Sequence, residues 1–311
     1  MTKKRSLSLV LLFVLDLLAV GVVLVVFSLF HHVLPRKIGH LYGTANLGEI
    51  HDFSDKFSDK FTDGEVIRKN GFYQDANINL TVTTVEEDGI TYHLADFYVR
   101  SVEYLKTAFA GEEFALGEAD SVVNMAQREN AVLAVSGDYF GIRQRSVVIR
   151  NGKVYRKTRA HQICVLYTDG TMETYPFQTF DVDKAIAGGA WQAWDFGPAL
   201  LTSEGKAVTE FSKGISGKNP RVAIGYFEPG HYCLVAVDGR QSHSSGMTMK
   251  ELAAFFEKLG CKTAYNLDGG HSAVMCLYGE IYSSPSTEGG RDISDIIYLV
   301  PTPQTEKETE S

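Results

Sequence analysis

The sequence predicts an α/β fold that follows a single N-terminal membrane helix, and three observations support this class. Residues 7–30 form an apolar run, and from about residue 70 onward strand-like and helix-like patterns alternate. Near the C-terminus, two apolar runs that each end in Asp-Gly lie on either side of one well-signalled helix. Strand, helix and strand in this order are typical of a crossover between parallel strands.

The composition is that of an ordinary globular protein, with 311 residues of which 44% are hydrophobic and 22% charged. This length suffices for one large domain or two small ones, with a sizeable core. The formal net charge is -8, and no basic run is longer than Lys3-Lys4-Arg5. Both facts argue against nucleic acid as a partner.

The apolar run at residues 7–30 is long enough to cross a membrane, since roughly 20 apolar residues span the bilayer core. A cleavable signal peptide is the competing interpretation, but its apolar part is usually about 7–15 residues long and precedes a small-residue cleavage site. Residues 31–35 offer no such site, so we expect an uncleaved, single-pass anchor in the cell membrane. The preceding basic residues predict a cytoplasmic tail at 1–6 and an extracellular location for the remaining chain.

Residues 31–69 are predicted to form an extracellular stalk. Within it, residues 53–64 repeat a four-residue pattern that begins with Phe. The Phe spacing predicts a short helix that docks on the following domain. At the other end of the chain, the polar residues 302–311 predict a disordered tail.

Residues 70–301 are predicted to form the functional domain. Alternating apolar and polar residues predict half-buried strands, and Asn151-Gly152 predicts the tight turn of a hairpin. The predicted elements are strands at 78–85, 92–99, 131–135, 147–149, 154–155 and 163–167, and a helix at 121–130.

The strand–helix–strand unit covers residues 234–272. Thr248 is the predicted N-cap of its helix, Glu251 completes a capping box, and Gly260 ends the helix. If the flanking strands are parallel, both Asp-Gly turns leave the sheet at the same edge, where open α/β sheets usually bind ligands. We therefore expect Asp238 and Asp268 to face one cleft.

The four cysteines give little information about function. No pair has the C-x-x-C spacing, which argues against a zinc site. Cys164 and Cys233 lie in apolar runs, where a buried thiol is the default. Cys261 and Cys276 flank the second Asp-Gly turn, and a disulfide between them is compatible with an extracellular location.

Three apolar strands end in an aspartate beside a glycine, at Asp138, Asp238 and Asp268. A lone Asp-Gly is more often a turn than a catalytic group, but three of them near several basic residues favour a site. Arginine binds phosphate through two parallel hydrogen bonds, and successive glycine amides bind anions. The candidate substrate-binding and phosphate-binding residues are Arg221, Arg240, His243, Asn266, Gly269, Gly270, Ser272 and Arg291.

In their order along the chain, these motifs resemble the phosphodiester glycosidase family, whose bacterial members are often exopolysaccharide biosynthesis proteins. The resemblance covers about residues 75–300. Its motifs are AVSGDYFG at 134–141, VIRNG at 148–152, FGPAL at 196–200, NPR at 219–221, AIG at 223–225, VDGRQ at 237–241, SGMT at 245–248, NLDGG at 266–270 and ISDII at 293–297.

The resemblance implies a NAGPA-like domain of mixed β-sheet with packed helices. It also implies a hydrolase, a glycosidase that cleaves the C1–O bond of a sugar-1-phosphodiester in a cell-surface polysaccharide or teichoic-acid-like polymer. The membrane-anchored layout is similar to that of Gram-positive members. The expected partners are therefore a glycan and the membrane, and the residues carry no signal for the oligomeric state.

Glycosidases usually work with two carboxylates, and the resemblance assigns roles on that basis. Asp268 is the expected base or nucleophile, and Asp238 supports it or binds sugar. Asp138 is expected to complete the site by binding sugar hydroxyls or a cation. A proton is expected to move through His271 or His243.

The remaining polar groups are expected to hold the phosphate. Arg221 and Arg240 are the expected phosphate ligands, and the amides of Gly269 and Gly270 are further donors. We expect no cofactor, with a divalent cation as the one open alternative.

Four positions depart from the family's usual pattern: Ser136 replaces Asn, Val222 replaces Thr, His271 replaces Gly and Ala273 replaces Ser. Two interpretations follow. The substrate differs from the usual one, or the chain is a catalytically degenerate glycan-binding or exopolysaccharide assembly protein. A third class, a metal-dependent phosphodiesterase, would cut the P–O bond, but the sequence has no dense cluster of metal ligands to support it.

Overall fold

The computed structural model describes residues 9–30, 36–37 and 41–302. The predicted cytoplasmic tail at 1–6 and the predicted disordered tail beyond residue 302 lie outside the described residues. Within the described ranges the chain is a mixed α and β structure with three larger sheets and four α-helices. The predicted fold class is confirmed.

The first helix, α1 (Leu9–Ser28), is apolar apart from Asp16 and the terminal Ser28. Its stretch Leu11–Ser28 has a mean hydropathy of 2.8, and none of that stretch is buried. The helix is therefore long and apolar enough to cross a membrane, a property that a membrane anchor shares with a signal sequence.

The largest sheet has seven strands and carries the strand–helix–strand unit. Each pair of neighbouring strands in it is antiparallel. In spatial order the strands are β17 (Thr263–Asn266), β15 (Arg221–Glu228), β16 (His231–Val237), β6 (Ile90–Val99), β5 (Ile78–Glu87), β4 (Phe72–Gln74) and β3 (Ile67–Lys69).

Strands β16 and β17 run in the same direction without being neighbours. Strand β15 lies between them and is antiparallel to both. The predicted parallel orientation is confirmed, and the strand between them is a feature that the local pattern did not reveal. Because β16 and β17 point the same way, their C-terminal ends share one edge of the sheet.

The second and third sheets are also built from antiparallel neighbours. The hairpin turn predicted at Asn151-Gly152 is confirmed, with φ of 52° and 74°. The six-stranded sheet has the order β13 (Met172–Tyr175), β12 (Ile163–Tyr167), β14 (Ala190–Asp195), β10 (Val147–Arg150), β11 (Lys153–Lys157) and β2 (Gly43–Thr44). The five-stranded sheet has the order β19 (Glu280–Ile281), β18 (Met275–Leu277), β9 (Leu133–Ser136), β20 (Asp295–Leu299) and β7 (Leu105–Phe109). A two-stranded sheet pairs β1 (Arg36–Lys37) with β8 (Ala115–Leu116).

The three helices of the domain are α2 (Val122–Arg128), α3 (Val182–Ala187) and α4 (Met249–Leu259). Helix α4 has the predicted capping box at Thr248 and Glu251, and Gly260 ends it in the left-handed conformation. Its buried face packs on β15 and β16 in one hydrophobic cluster. This packing holds the helix against the strands whose ends carry the two Asp-Gly turns.

The main hydrophobic core joins the three larger sheets. Buried side chains from each of them contact one another, among them Phe97 of β6, Leu133 of β9 and Trp194 of β14. A shared core makes the sheets one packed unit. The edges that carry the candidate residues are therefore held rigidly relative to each other.

Residues 41–69 of the predicted stalk contact the domain. Phe53 and Phe57 are buried, and a Cβ on Gly230 would lie 2.9 Å from both rings. The ring of Phe57 lies 4.9 Å from that of Tyr98. The predicted docking is confirmed, but the segment consists of turns rather than a helix. Docking onto the turns at Gly170 and Gly230 decides the local shape, not the four-residue spacing.

All four cysteines are buried free thiols. Cys233 and Cys261 share the cluster under α4, whereas Cys276 belongs to a separate cluster around β18. The disulfide considered between Cys261 and Cys276 is therefore wrong, because flanking the same turn does not bring the two sulfurs together.

Candidate active site

The register of the seven-stranded sheet brings three strand ends to one edge. Arg221, at the start of β15, pairs with Val237 at the end of β16. Two residues further along β15, Ala223 pairs with Asn266 at the end of β17. The segments that follow β16 and β17 therefore emerge beside the segment that enters β15.

Both Asp-Gly turns pack closely on Pro220, the residue that precedes β15. A Cβ on Gly239 would lie 2.8 Å from the nitrogen of Pro220, and a Cβ on Gly269 would lie 2.7 Å from its carbonyl oxygen. Only glycine allows such a close approach of two backbones. Asp238 and Asp268 thus leave the sheet on either side of Pro220. They share one edge of the sheet, as the sequence predicts.

Asp268 is a buried carboxylate whose backbone is fixed by the five-stranded sheet. Its N–H donates to the carbonyl of Gly137 at 3.0 Å, and its carbonyl accepts from Oγ of Ser136 at 2.9 Å. Its Oδ2 accepts a hydrogen bond from Nη2 of Arg291 at 2.9 Å. Burial raises the pKa of Asp268, while Ser272 and Arg291 act in the opposite direction. A carboxylate with a raised pKa suits proton transfer near neutral pH.

Arg291 connects Asp268 to the surface. Its Nε donates to Oγ of Ser272 at 3.0 Å, and its guanidinium lies 4.6 Å from the ring centre of Tyr139. The side chain is 45% exposed. A fixed guanidinium of this kind, half open to solvent beside a carboxylate, is suited to an anionic substrate group.

Arg143 is a second cation near Asp268 that the sequence analysis missed. Its Nη1 donates to the carbonyls of Asp138 at 3.3 Å and Asp195 at 3.1 Å. Its guanidinium lies 4.4 Å from the ring centre of Phe196. Its charge also lowers the pKa of Asp268. The sequence signal was its position, five residues after Asp138 in the loop that leaves β9.

Asp238 holds two histidines on one oxygen. Its Oδ2 lies 3.2 Å from Nε2 of His93 and 3.3 Å from Nε2 of His243, and its Oδ1 accepts from the backbone N–H of Ser284 at 2.9 Å. Asp238 and His93 are buried, whereas the His243 side chain is 43% exposed. The arrangement orients His243 at the surface through a carboxylate that is itself fixed.

His93 is a further site residue that the sequence analysis missed. It lies on the buried face of β6, and its Nδ1 lies 2.9 Å from Oγ1 of Thr84. The available signal was a polar residue at a position where the alternation of β6 predicts an inward side chain. Its partner Asp238 is 145 positions away, so nothing local identified the pair.

Asp138 lies beneath the site in a buried ion-pair cluster. Nη2 of Arg150 lies 2.8 Å from Oδ1 of Asp138 and 2.9 Å from Oδ2 of Asp295. Oδ2 of Asp138 accepts from the backbone N–H of Asp195 at 3.0 Å. These groups are 0–1% exposed, so the structure gives Asp138 a supporting position rather than the predicted contact with sugar or a cation. Among the residues that the structure describes, no three His, Cys, Asp or Glu side chains form a group suited to hold a metal ion.

The guanidinium of Arg221 donates hydrogen bonds to backbone carbonyls. Its Nε donates to the carbonyl of Met247 at 3.1 Å, and its Nη2 donates to the carbonyls of Ile215 and Gly217. Burial lowers its pKa to about 10, with a smaller effect from Arg240. The contacts tie the loops at 215–217 and 247 to β15, so Arg221 shapes this edge instead of presenting the predicted phosphate ligand.

Arg240 and His271 lie on the exposed rim. Nη2 of Arg240 donates to Oδ1 of Asn219 at 2.7 Å, and a Cβ on Gly270 would lie 3.5 Å from that nitrogen. Nδ1 of His271 lies 2.5 Å from Oγ1 of Thr287. Arg240 therefore meets the second Asp-Gly turn, whereas His271 faces the loop at 287.

Two more predicted ligands have partners inside the protein. Nδ2 of Asn266 donates to the carbonyl of Gly197 at 2.8 Å, and its buried Oδ1 has no partner among the described residues. The N–H of Gly270 donates to the carbonyl of Pro220 at 2.9 Å. Two glycine amides are expected to bind an anion. Of these, only the N–H of Gly269 has no hydrogen-bond partner among the described residues.

A protein-family model matches the part of the chain that contains most of these site residues. The family model for phosphodiester glycosidases matches residues 129–300, more than half of the chain. The chain belongs to the phosphodiester glycosidase family. The region shared with the family contains Asp138, Arg143, Asp238, Asp268 and Arg291, whereas His93 lies before it.

Curated relatives share limited parts of their sequences with the chain. The SPbeta prophage-derived protein YomE of Bacillus subtilis (strain 168) is 28% identical over 200 residues, which are 60% of this chain and 30% of that protein. The human N-acetylglucosamine-1-phosphodiester alpha-N-acetylglucosaminidase is 37% identical over 88 residues, 28% of this chain and 17% of that protein. The matched parts are less than a third of the length of these relatives.

A solved structure extends the family relation to the fold. The catalytic domain of the zebrafish N-acetylglucosamine-1-phosphodiester alpha-N-acetylglucosaminidase has a TM-score of 0.58 and 19% identity to the chain. The match covers 78% of this chain and 86% of that domain. The phosphodiester glycosidase fold is therefore present over most of the chain.

Proposed function

We propose that the chain is a phosphodiester glycosidase that hydrolyses the C1–O bond of a sugar-1-phosphodiester in a cell-surface polysaccharide or teichoic-acid-like polymer. Family membership supports hydrolase chemistry of this type. Mouse and human relatives carry the name N-acetylglucosamine-1-phosphodiester alpha-N-acetylglucosaminidase. The observation that carries the proposal is the buried carboxylate of Asp268, paired at 2.9 Å with the half-exposed guanidinium of Arg291.

The reaction joins C1 of the sugar to an oxygen of water and releases a phosphomonoester, which leaves with the electron pair of the broken C1–O bond. Asp268 takes the proton of the attacking water, or bonds to C1 itself and is then displaced by water. Arg291 binds the negative charge that grows on the departing phosphate. Phosphate leaves readily, so the site needs charge stabilisation more than a strong general acid.

The Asp238 group supplies a route for the proton. Nε2 of His243 faces Asp238, and its Nδ1 has no described partner. His243 is therefore oriented to exchange a proton with substrate or solvent through Nδ1. His271 lacks a carboxylate of this kind and lies against Thr287, so we assign proton transfer to His243.

We also propose that α1 anchors the chain in the cell membrane with the glycosidase domain outside. The length and hydropathy of α1 support an anchor, and Lys3-Lys4-Arg5 support a cytoplasmic N-terminus. Protease added to intact cells that express the full chain should then degrade the domain. A domain that stays protected until the cells are lysed would contradict this orientation.

The activity is tested with the full-length chain in detergent and a synthetic N-acetylglucosamine-1-phosphodiester, followed by teichoic-acid-like polymers. We expect free reducing sugar and a phosphomonoester as products, formed by the parent chain and not by the Asp268→Asn variant. Release of sugar 1-phosphate would indicate a phosphodiesterase. Binding of the polymer without any product would indicate the degenerate glycan-binding alternative.

A further inference from the structure

We propose that Arg143 and His161 form the pocket that binds the phosphate of the substrate, and that Asp195 positions both of them. This inference rests on the proposed function, because it names the second half of the same site. Neither Arg143, His161 nor Asp195 was a candidate from the sequence. The two side chains come from different loops and contact one buried residue.

Asp195 holds Arg143 through its backbone and His161 through its side chain. Its carbonyl accepts from Nη1 of Arg143 at 3.1 Å, and its Oδ1 lies 3.2 Å from Nδ1 of His161. The same carboxylate accepts backbone N–H groups from Val147 at 2.9 Å and Ala160 at 3.0 Å. Asp195 is 0% exposed. A residue fixed at so many points sets the spacing of both side chains.

Arg143 lies beside Asp268. Nη1 of Arg143 also donates to the carbonyl of Asp138 at 3.3 Å, and the carbonyl of the preceding Gly137 accepts from the N–H of Asp268 at 3.0 Å. Arg143 and Asp268 therefore bind the carbonyls of two consecutive residues, Asp138 and Gly137. Arg291, stacked over Tyr139, lies against the next residue of the same segment.

The donors that remain are suited to phosphate. Nε and Nη2 of Arg143 have no hydrogen-bond partner among the described residues, and the guanidinium lies 4.4 Å from the ring centre of Phe196. The His161 side chain is 45% exposed. With Nδ1 facing the carboxylate of Asp195, the imidazolium form of His161 keeps the N–H of Nε2 for an anion. A guanidinium fork and an N–H donor match the non-bridging oxygens of a phosphodiester.

The test measures binding of inorganic phosphate to the full-length chain in detergent by calorimetry. Arg143→Gln removes the fork, and His161→Asn removes Nε2 while keeping an amide donor for Asp195. Arg145→Gln is the matched control, because Arg145 is an exposed arginine of the same loop without a described partner. We expect Arg143→Gln to weaken phosphate binding at least about tenfold, since charge-assisted hydrogen bonds contribute on that scale.

His161→Asn should weaken phosphate binding several-fold, and Arg145→Gln should leave it unchanged. The proposal is overturned if the Arg143→Gln and His161→Asn variants bind phosphate as tightly as the parent does. It is also overturned if the parent binds no phosphate. Equilibrium binding requires no turnover, so a chain that binds phosphate through these residues but releases no sugar would reject the glycosidase proposal alone. Melting temperatures confirm that each variant is folded.

A double-mutant cycle tests the positioning role of Asp195. Asp195→Asn weakens the hold on His161 but keeps the backbone carbonyl that binds Arg143. Its effect on phosphate binding should therefore vanish in the His161→Asn background and persist in the Arg143→Gln background. Equal effects in both backgrounds would show a general structural loss and reject positioning through His161.

Discussion

Ser136, at the end of β9, donates a hydrogen bond from Oγ to the backbone carbonyl of Asp268 at 2.9 Å. The bond joins the five-stranded sheet to the seven-stranded sheet directly behind the candidate catalytic carboxylate. Ser136 is also one of the positions that depart from the family's usual pattern. The serine at this position therefore supports the backbone of Asp268.

Asp268→Asn should abolish most of the turnover, because the amide neither accepts the proton of water nor attacks C1. We expect kcat to fall by about a hundredfold to ten-thousandfold, the range of general acid–base contributions. Asp292→Asn is the matched control, since Asp292 is exposed and lies beside Arg291. Turnover of Asp268→Asn at the parental rate in a folded protein would remove Asp268 from the mechanism.

Arg291→Gln should move the acidic limb of the kcat/KM profile to higher pH. Burial raises the pKa of Asp268 and Arg291 lowers it, so loss of the cation raises that pKa further. The active form of Asp268 is the carboxylate, and a higher pKa means that it forms only at higher pH. Arg291→Lys keeps the charge and should shift the limb less. An acidic limb that stays in place after Arg291→Gln would show that another group titrates there.

His243→Gln should lower kcat, whereas His271→Gln should leave it within about twofold, since proton transfer contributes only where a group is oriented for it. His243 is held on the carboxylate of Asp238, and His271 contacts Thr287. The two variants remove the same functional group from two exposed loops, so each serves as the control for the other. A larger loss in His271→Gln would reverse the assignment.

Arg150→Met should destabilise the fold, because it leaves the buried carboxylates of Asp138 and Asp295 without their cation. Removal of one partner from a buried ion pair costs about 3–5 kcal/mol in the free energy of unfolding. Arg100→Met, which breaks an exposed pair with Asp52, should cost no more than about 1 kcal/mol. Denaturant unfolding of both variants measures the difference. Equal costs would show that the buried cluster contributes no more than a surface pair.

A second substitution tests the same cluster from the other side. Asp295→Asn in the Arg150→Met background removes one of the two unpaired charges. We expect it to restore part of the lost stability, because burial and the charge of Asp138 already raise the pKa of Asp295. A double variant less stable than Arg150→Met alone would contradict this picture.

Features with local signals were predictable from the sequence. Helix α4 begins and ends as predicted because Thr248, Glu251 and Gly260 act within one turn of the helix ends. The common edge of Asp238 and Asp268 followed from the direction of two strands, and the strand between them does not change that direction. Local chemistry of this kind needs no knowledge of distant partners.

The parts that sequence reasoning missed depend on contacts between distant segments. His93 acquires its role through Asp238, and Arg143 through the carbonyl of Asp195, each from another part of the chain. Arg221 shows the converse case, since an arginine near two Asp-Gly turns suggested a phosphate ligand. Its donors are directed at backbone carbonyls of neighbouring loops, and loop packing of that kind leaves no pattern in the residues themselves.

Hydrolysis of a synthetic N-acetylglucosamine-1-phosphodiester in water labelled with oxygen-18 tests C1–O cleavage most directly. The full-length chain is incubated with the substrate, and mass spectrometry locates the label in the two products. Attack at C1 places the label in the anomeric hydroxyl of the released sugar and leaves the phosphomonoester unlabelled. Label in the phosphomonoester would mean that the P–O bond was broken, and would contradict a glycosidase mechanism at Asp268.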